Sequence, residues 1–183
     1  MKNNKLYSLT LIAISAAIIA VLSPFTLPLG PVPITLQTLV IGLIATVLKA
    51  RETFFAVLLY LIMGCMGIPV FAGGTSGIIT LVSPTGGYLV GFLIGGTLIS
   101  WLLQKVHYRF TSAFTVNILG HLVMLLFGTV WLKYVSNVSW TVAMNLGFTP
   151  FIIVEIGKAI LVTIFGLAII RALSHTNNYF TKA

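Results

Sequence analysis

The chain has 183 residues, of which 58% are hydrophobic and only 7% charged, and its mean hydropathy is +1.12. A water-exposed domain of that length needs far more surface charge, so the composition excludes a soluble globule and indicates a multi-span membrane protein. The formal charge of +8 is scattered over short connections and ends, which reads as a topology signal and not as a nucleic-acid groove.

Six apolar segments, each near the ~20 residues that cross a bilayer, are expected at about 6–22, 34–48, 53–69, 85–104, 111–133 and 147–171. The first follows lysines as a signal peptide would, but it lacks a small-residue cleavage site and is read as mature structure. It carries Ala13 and Ala17, a small-xxx-small spacing that serves either internal packing or a partner helix. The connection that follows, "SPFTLPLGPVP" (23–33), holds four prolines and is either a tight connector or a lid. Thr35 and Gln37 open the second span and supply neutral hydrogen-bonding groups at its outer end.

The third span holds the chain's single cysteine, Cys65, so no disulfide framework is available. After it comes "FAGGTSGIITLVSPTGG" (71–87), uncharged and Gly-rich, a composition that favours a lid or pocket wall. Tyr88 opens the fourth span directly behind it, followed by Gly91 and Gly95, which with Gly87 form a packing stripe. The fifth span contains His121, read as a packing or hydrogen-bonding residue. His107, His121 and His175 are dispersed without metal-ligand spacing.

The sixth span contains "PFIIVEIGKAILVTI" (150–164), where Glu155 and Lys158 sit among residues fit for lipid. Positions three apart fall about 60° apart around a helix, so both side chains share one face. They form either an ion pair that fixes packing or a ligand site, and ionisable groups inside spans favour the ligand site. Glu155 falls about two turns from the outer end of its helix, beneath the two uncharged loops.

With six spans, Lys2, Lys5, Lys49, Arg51, Lys105, Arg109, Arg171 and Lys182 all fall on one side, and Lys133 alone on the other. Positive residues mark the cytoplasmic side, so both termini are expected there. No soluble domain or repeat interrupts the pattern, and 1–183 is read as one all-α membrane domain. Gly157-Lys158 mimics the end of a phosphate-binding loop. Ile152 and Ala159 stand where that motif needs Gly and Ser or Thr, so no ATP hydrolysis is expected. Two acidic residues and no activated serine make an enzyme improbable, and no metal or other cofactor is expected.

Four motifs, "PVPITLQTL" (31–39), "GIPVFAGGTSG" (67–77), "SPTGGYLVGF" (83–92) and "EIGK" (155–158), occur in the order seen in one family. In these the chain resembles the BioY family, biotin-specific S components of energy-coupling factor (ECF) transporters. It departs at Glu155, where that family usually has Asp, and at Ser83, where glycine is typical.

The resemblance implies a six-transmembrane-helix bundle of the ECF S-component type in the cell membrane, with a pocket open to the outside. It implies that biotin contacts Thr35, Gln37, Phe71, Gly73, Gly74, Tyr88, Glu155 and Lys158. Which end of the ligand meets Glu155 and which meets Lys158 stays open. It also implies partners, a coupling membrane subunit and two ATPase subunits, with the Ala13/Ala17 face towards the coupling subunit. The alternatives are an S component for another vitamin and a stand-alone secondary carrier.

Overall fold

The computed structural model describes residues 2–28, 32–174 and 179, with side chains from residue 5 onward. The Lys2 side chain, Pro31, His175 and Lys182, which the sequence reading used, lie outside the described residues. Helix α1 runs over Lys2–Leu22, α2 over Gln37–Val47, α3 over Ala50–Cys65, α5 over Gly86–Leu103, α6 over Phe110–Val135 and α8 over Thr149–Ser174. Two short helices, α4 (Ile79–Val82) and α7 (Trp140–Gly147), sit in connections.

Among the described residues, four stretches are long and apolar enough to cross a membrane: Lys5–Leu22, Gly86–Leu103, Phe110–Val135 and Trp140–Ser174. Helices stand at all six expected places, but α2 has 11 residues and α3 has 16. They rise about 16 and 24 Å, against a hydrocarbon core of ~30 Å.

Local chemistry explains the shortening. Ile34 and Thr35 are β-branched and follow Pro33, and they pair as strand β2 with β1 (Thr26–Leu27) in a two-stranded antiparallel hairpin. The second helix therefore starts at Gln37 and not at 34. The third was expected to run to 69 but stops at Cys65, because Gly67 adopts φ +99° and Pro69 follows.

Helix α2 is the centre of the bundle. It packs against α8, α5, α6 and α1, and Val40, Ile41, Ile44 and Ala45 are all buried. Helix α5 lies along α6 through the glycine stripe: a Cβ on Gly91 would fall 2.9 Å from the Met124 carbonyl oxygen. Helix α1 lies at the edge of the bundle, packed chiefly on α3 and α2, and exposes Leu6, Leu9, Ile14 and Val21. Large exposed apolar residues also line α5, α6 and α8, including Ile94, Phe127 and Phe165. In water such a surface would aggregate, whereas in lipid it is solvated. The protein is an all-α, multi-pass membrane protein.

Candidate functional site

At the end of the bundle that carries the two long connections lies a cavity of about 580 Å³. Its floor comes from α2 and α8, one wall from α5, and its cover from the hairpin and the 71–85 segment. That size suits a small organic ligand.

The cover is built by backbone as much as by side chains. The Gly73 N–H donates to the Pro24 carbonyl (3.2 Å), and the Leu36 N–H donates to the Phe25 carbonyl (3.3 Å). The first of these bonds ties the two uncharged loops together, and the second closes the hairpin. Gly73 and Gly74 have φ +65° and +74°, conformations that residues with a Cβ rarely adopt. Phe71 anchors the segment: it is 1% exposed, meets Tyr60 edge-on at 5.6 Å and fills the space above Gly64.

On the floor, Glu155 and Lys158 face inward, 4% and 8% exposed. The Lys158 Nζ donates to Glu155 Oε1 (2.6 Å) and to Thr38 Oγ1 (2.8 Å), and Thr38 Oγ1 donates to Glu155 Oε1 (2.9 Å). Behind them, away from the cavity, His121 Nδ1 lies 2.9 Å from Glu155 Oε2. Oε1 is thus held by two hydrogen bonds from within the protein, while Oε2 has the imidazole nearby but no well-formed hydrogen bond. An ammonium carries three donors, and two of Lys158's are used here.

Of the eight sequence-derived ligand residues, Thr35, Gln37, Phe71, Gly74, Tyr88, Glu155 and Lys158 line the cavity. Gly73 does not; it turns towards Thr26 and Pro24 on the hairpin side. Some of the lining residues have their polar atoms committed. Thr35 Oγ1 accepts the Gln37 N–H (3.2 Å) and so serves the first turn of α2. The Gln37 Nε2 donates to Tyr60 Oη (2.7 Å), and the Tyr88 hydroxyl donates to the Gly147 carbonyl (2.7 Å). Tyr88 thus presents its ring.

Sequence reasoning missed Thr38, which completes the charged floor, and the apolar walls Phe92, Leu125 and Phe151. It also missed the hydroxyls of Thr75, Ser76, Ser83 and Thr85, although the 71–87 stretch displayed them in plain view. The chemistry on offer is one cation with a spare donor, several hydroxyls, an amide and apolar walls. The described residues hold no group of three or more His, Cys, Asp or Glu able to take a metal ion.

Known proteins are similar to this one in architecture and in sequence. A protein-family profile described as the BioY family matches residues 1–175. A protein of Lactococcus lactis subsp. cremoris (strain MG1363), named biotin transporter BioY2, is 68% identical over the whole of both chains. A probable biotin transporter BioY of Pyrococcus horikoshii is 36% identical, over 85% of this chain and 91% of its own. A crystal structure of the S-component for biotin from an ECF-type ABC transporter superimposes with a TM-score of 0.84 at 27% identity, over 93% of this chain and 94% of that one.

Proposed function

This chain belongs to the BioY family, and from that premise we infer that it is the biotin-binding S component of an ECF-type ABC transporter. It is a substrate-binding subunit and not an enzyme. The observation that carries the ligand reading is the cavity of about 580 Å³ whose apolar walls close on Lys158. Biotin has an apolar sulfur ring for those walls, a cyclic urea for the lid hydroxyls and the Gln37 amide, and a carboxylate. The spare Lys158 donor meets either the carboxylate or the urea oxygen.

On this reading Thr35, Gln37, Phe71, Gly74 and Tyr88 shape the pocket, and Glu155 holds Lys158 in place. Gly73 acts as the bend that brings the lid over the ligand. The chain crosses the membrane six times as one domain over 1–183, with the passes of the short helices α2 and α3 completed by the connections beside them, both termini cytoplasmic and the cavity facing out. A coupling membrane subunit and two ATPase subunits power release to the inside. Ala13 and Ala17 lie on the exposed side of α1 and offer the coupling subunit a surface of small residues.

Equilibrium binding of biotin to the detergent-purified protein tests this, with thiamine and riboflavin as competitors. Neither competitor should displace biotin. A hydrogen bond to a charged group is worth about 1.5–3 kcal/mol, so the Lys158→Ala variant should bind about 10- to 150-fold more weakly. Tight riboflavin or thiamine binding with biotin ignored would replace the ligand, and unchanged affinity in Lys158→Ala would leave that residue a packing role alone.

A further inference from the structure

A second hollow, of about 1050 Å³, lies between α1 and α3 at the opposite end of the bundle, apart from the ligand cavity. Lys5, Lys49 and Arg51 stand at its mouth, and Leu9, Ile12, Phe55 and Ile62 line its walls. We propose that this groove holds one anionic phospholipid, with its phosphate among the three cations and an acyl chain along α3.

Depth is the first support. From Arg51 to Ile62 the helix rises about 16 Å, roughly half the ~30 Å hydrocarbon core. The groove is therefore one leaflet deep, with its cations at headgroup level. Walls of large apolar side chains open sideways, since Leu9, Phe55 and Ile62 are 62%, 43% and 46% exposed.

Charge is the second support. Lys5 and Arg51 are exposed and make no ion pair among the described residues, and Lys49, whose Nζ sits 4.6 Å from the Tyr179 ring centroid, makes none either. The one acid at the mouth, Glu52, is 7% exposed and accepts a hydrogen bond from Ser8 Oγ (2.7 Å), tucked into the contact of α1 with α3. Three cations thus face one recessed carboxylate. A free phosphate would use only that mouth, whereas the apolar walls call for a chain. The small-residue surface at Ala13 and Ala17, where another helix could approach closely, lies elsewhere on α1 and does not line the recess.

Native mass spectrometry of the delipidated full chain tests the proposal, with dioleoylphosphatidylglycerol, dioleoylphosphatidylcholine and inorganic phosphate as probes. The anionic lipid should bind ~10- to 30-fold more tightly than the zwitterionic one, as expected for two or more basic contacts near a membrane surface. The Lys5→Gln/Lys49→Gln/Arg51→Gln triple variant should bind the two lipids alike. Ile62→Trp, which fills the apolar wall, should weaken both. Biotin affinity, measured in parallel, should stay unchanged in all variants and report that they are folded. Equal binding of the two lipids by the unaltered chain would overturn the proposal, as would a preference that survives the triple substitution. Displacement of the anionic lipid by equimolar inorganic phosphate would reduce the groove to an anion mouth. Its loss on assembly with the coupling subunit would make this face a protein interface.

Discussion

Glu155 and Lys158 share the floor of the cavity, yet their free valences differ. Glu155 Oε1 accepts from both Lys158 and Thr38, whereas Oε2 lies 2.9 Å from His121 Nδ1 without a well-formed hydrogen bond. Removing one partner of a buried pair strands the other, at about 3–5 kcal/mol. Glu155→Ala and Lys158→Met are each expected to lower the unfolding midpoint in detergent, and the Glu155→Gln/Lys158→Met double variant to recover most of that loss. Biotin affinity should not recover with it, because the ligand-facing donor is gone. If the double variant is as unstable as the two single losses combined, the pair is not coupled. Thr38→Val keeps the shape and removes the bridging hydroxyl, and should cost about 1 kcal/mol in the same unfolding assay. The charged pair was legible in the sequence because charge within an apolar segment has few other uses. Thr38 was not, and His121 was read as a packing or hydrogen-bonding residue without its partner, because each meets Glu155 from another helix and nothing in their local sequence marks that contact.

At the scale of elements, small residues do two different jobs. Gly87, Gly91 and Gly95 let α5 and α6 touch backbone to backbone, and a Cβ on Gly95 would lie 2.7 Å from Met124 Cγ and 2.8 Å from the Gly120 carbonyl oxygen. In return Gly120 and Gly128 on α6 receive the Ile99 side chain and the Tyr88 ring. Overpacking such a contact costs about 1–3 kcal/mol. Gly95→Leu is therefore expected to lower the unfolding midpoint and, by displacing Tyr88 and Phe92 along the same helix, to weaken biotin binding. Ala13→Leu, on exposed α1, should leave both unchanged while impairing co-purification with the coupling subunit. The opposite pattern would exchange the two roles. Sequence spacing alone offered the same signal for both stripes; only burial separates them. The short helix α7 was also hidden, although Ser139 Oγ accepts the Val142 N–H at its start (3.3 Å), because its apolar residues merge with those of α8.

Across the whole molecule, aromatic and basic side chains mark two levels. At the loop end Lys133 stacks over Tyr134 and Trp140, at 4.4 and 5.1 Å, and at the other end Lys105 lies 3.7 Å over Trp101. Such residues concentrate where lipid meets water. Helix α6, with 26 residues, rises about 39 Å and links the two levels. Helix α2 cannot, and the depth it leaves is filled by the cavity, the hairpin and the 71–85 cover. Irregular backbone at membrane depth is tolerated where it is buried in protein or lines a cavity. The short central helix is thus what makes room for a ligand within the depth of the bundle. This arrangement predicts opposite accessibilities for the two ends. In a Cys65→Ser background, a membrane-impermeant maleimide should label the Ser76→Cys variant on intact cells, and the His107→Cys variant only after lysis. Because Ser76 belongs to the lid and lines the cavity, saturating biotin should slow its labelling several-fold and leave position 107 untouched. Labelling of His107→Cys on intact cells would invert the orientation, and a Ser76→Cys rate indifferent to biotin would remove the lid from the binding step.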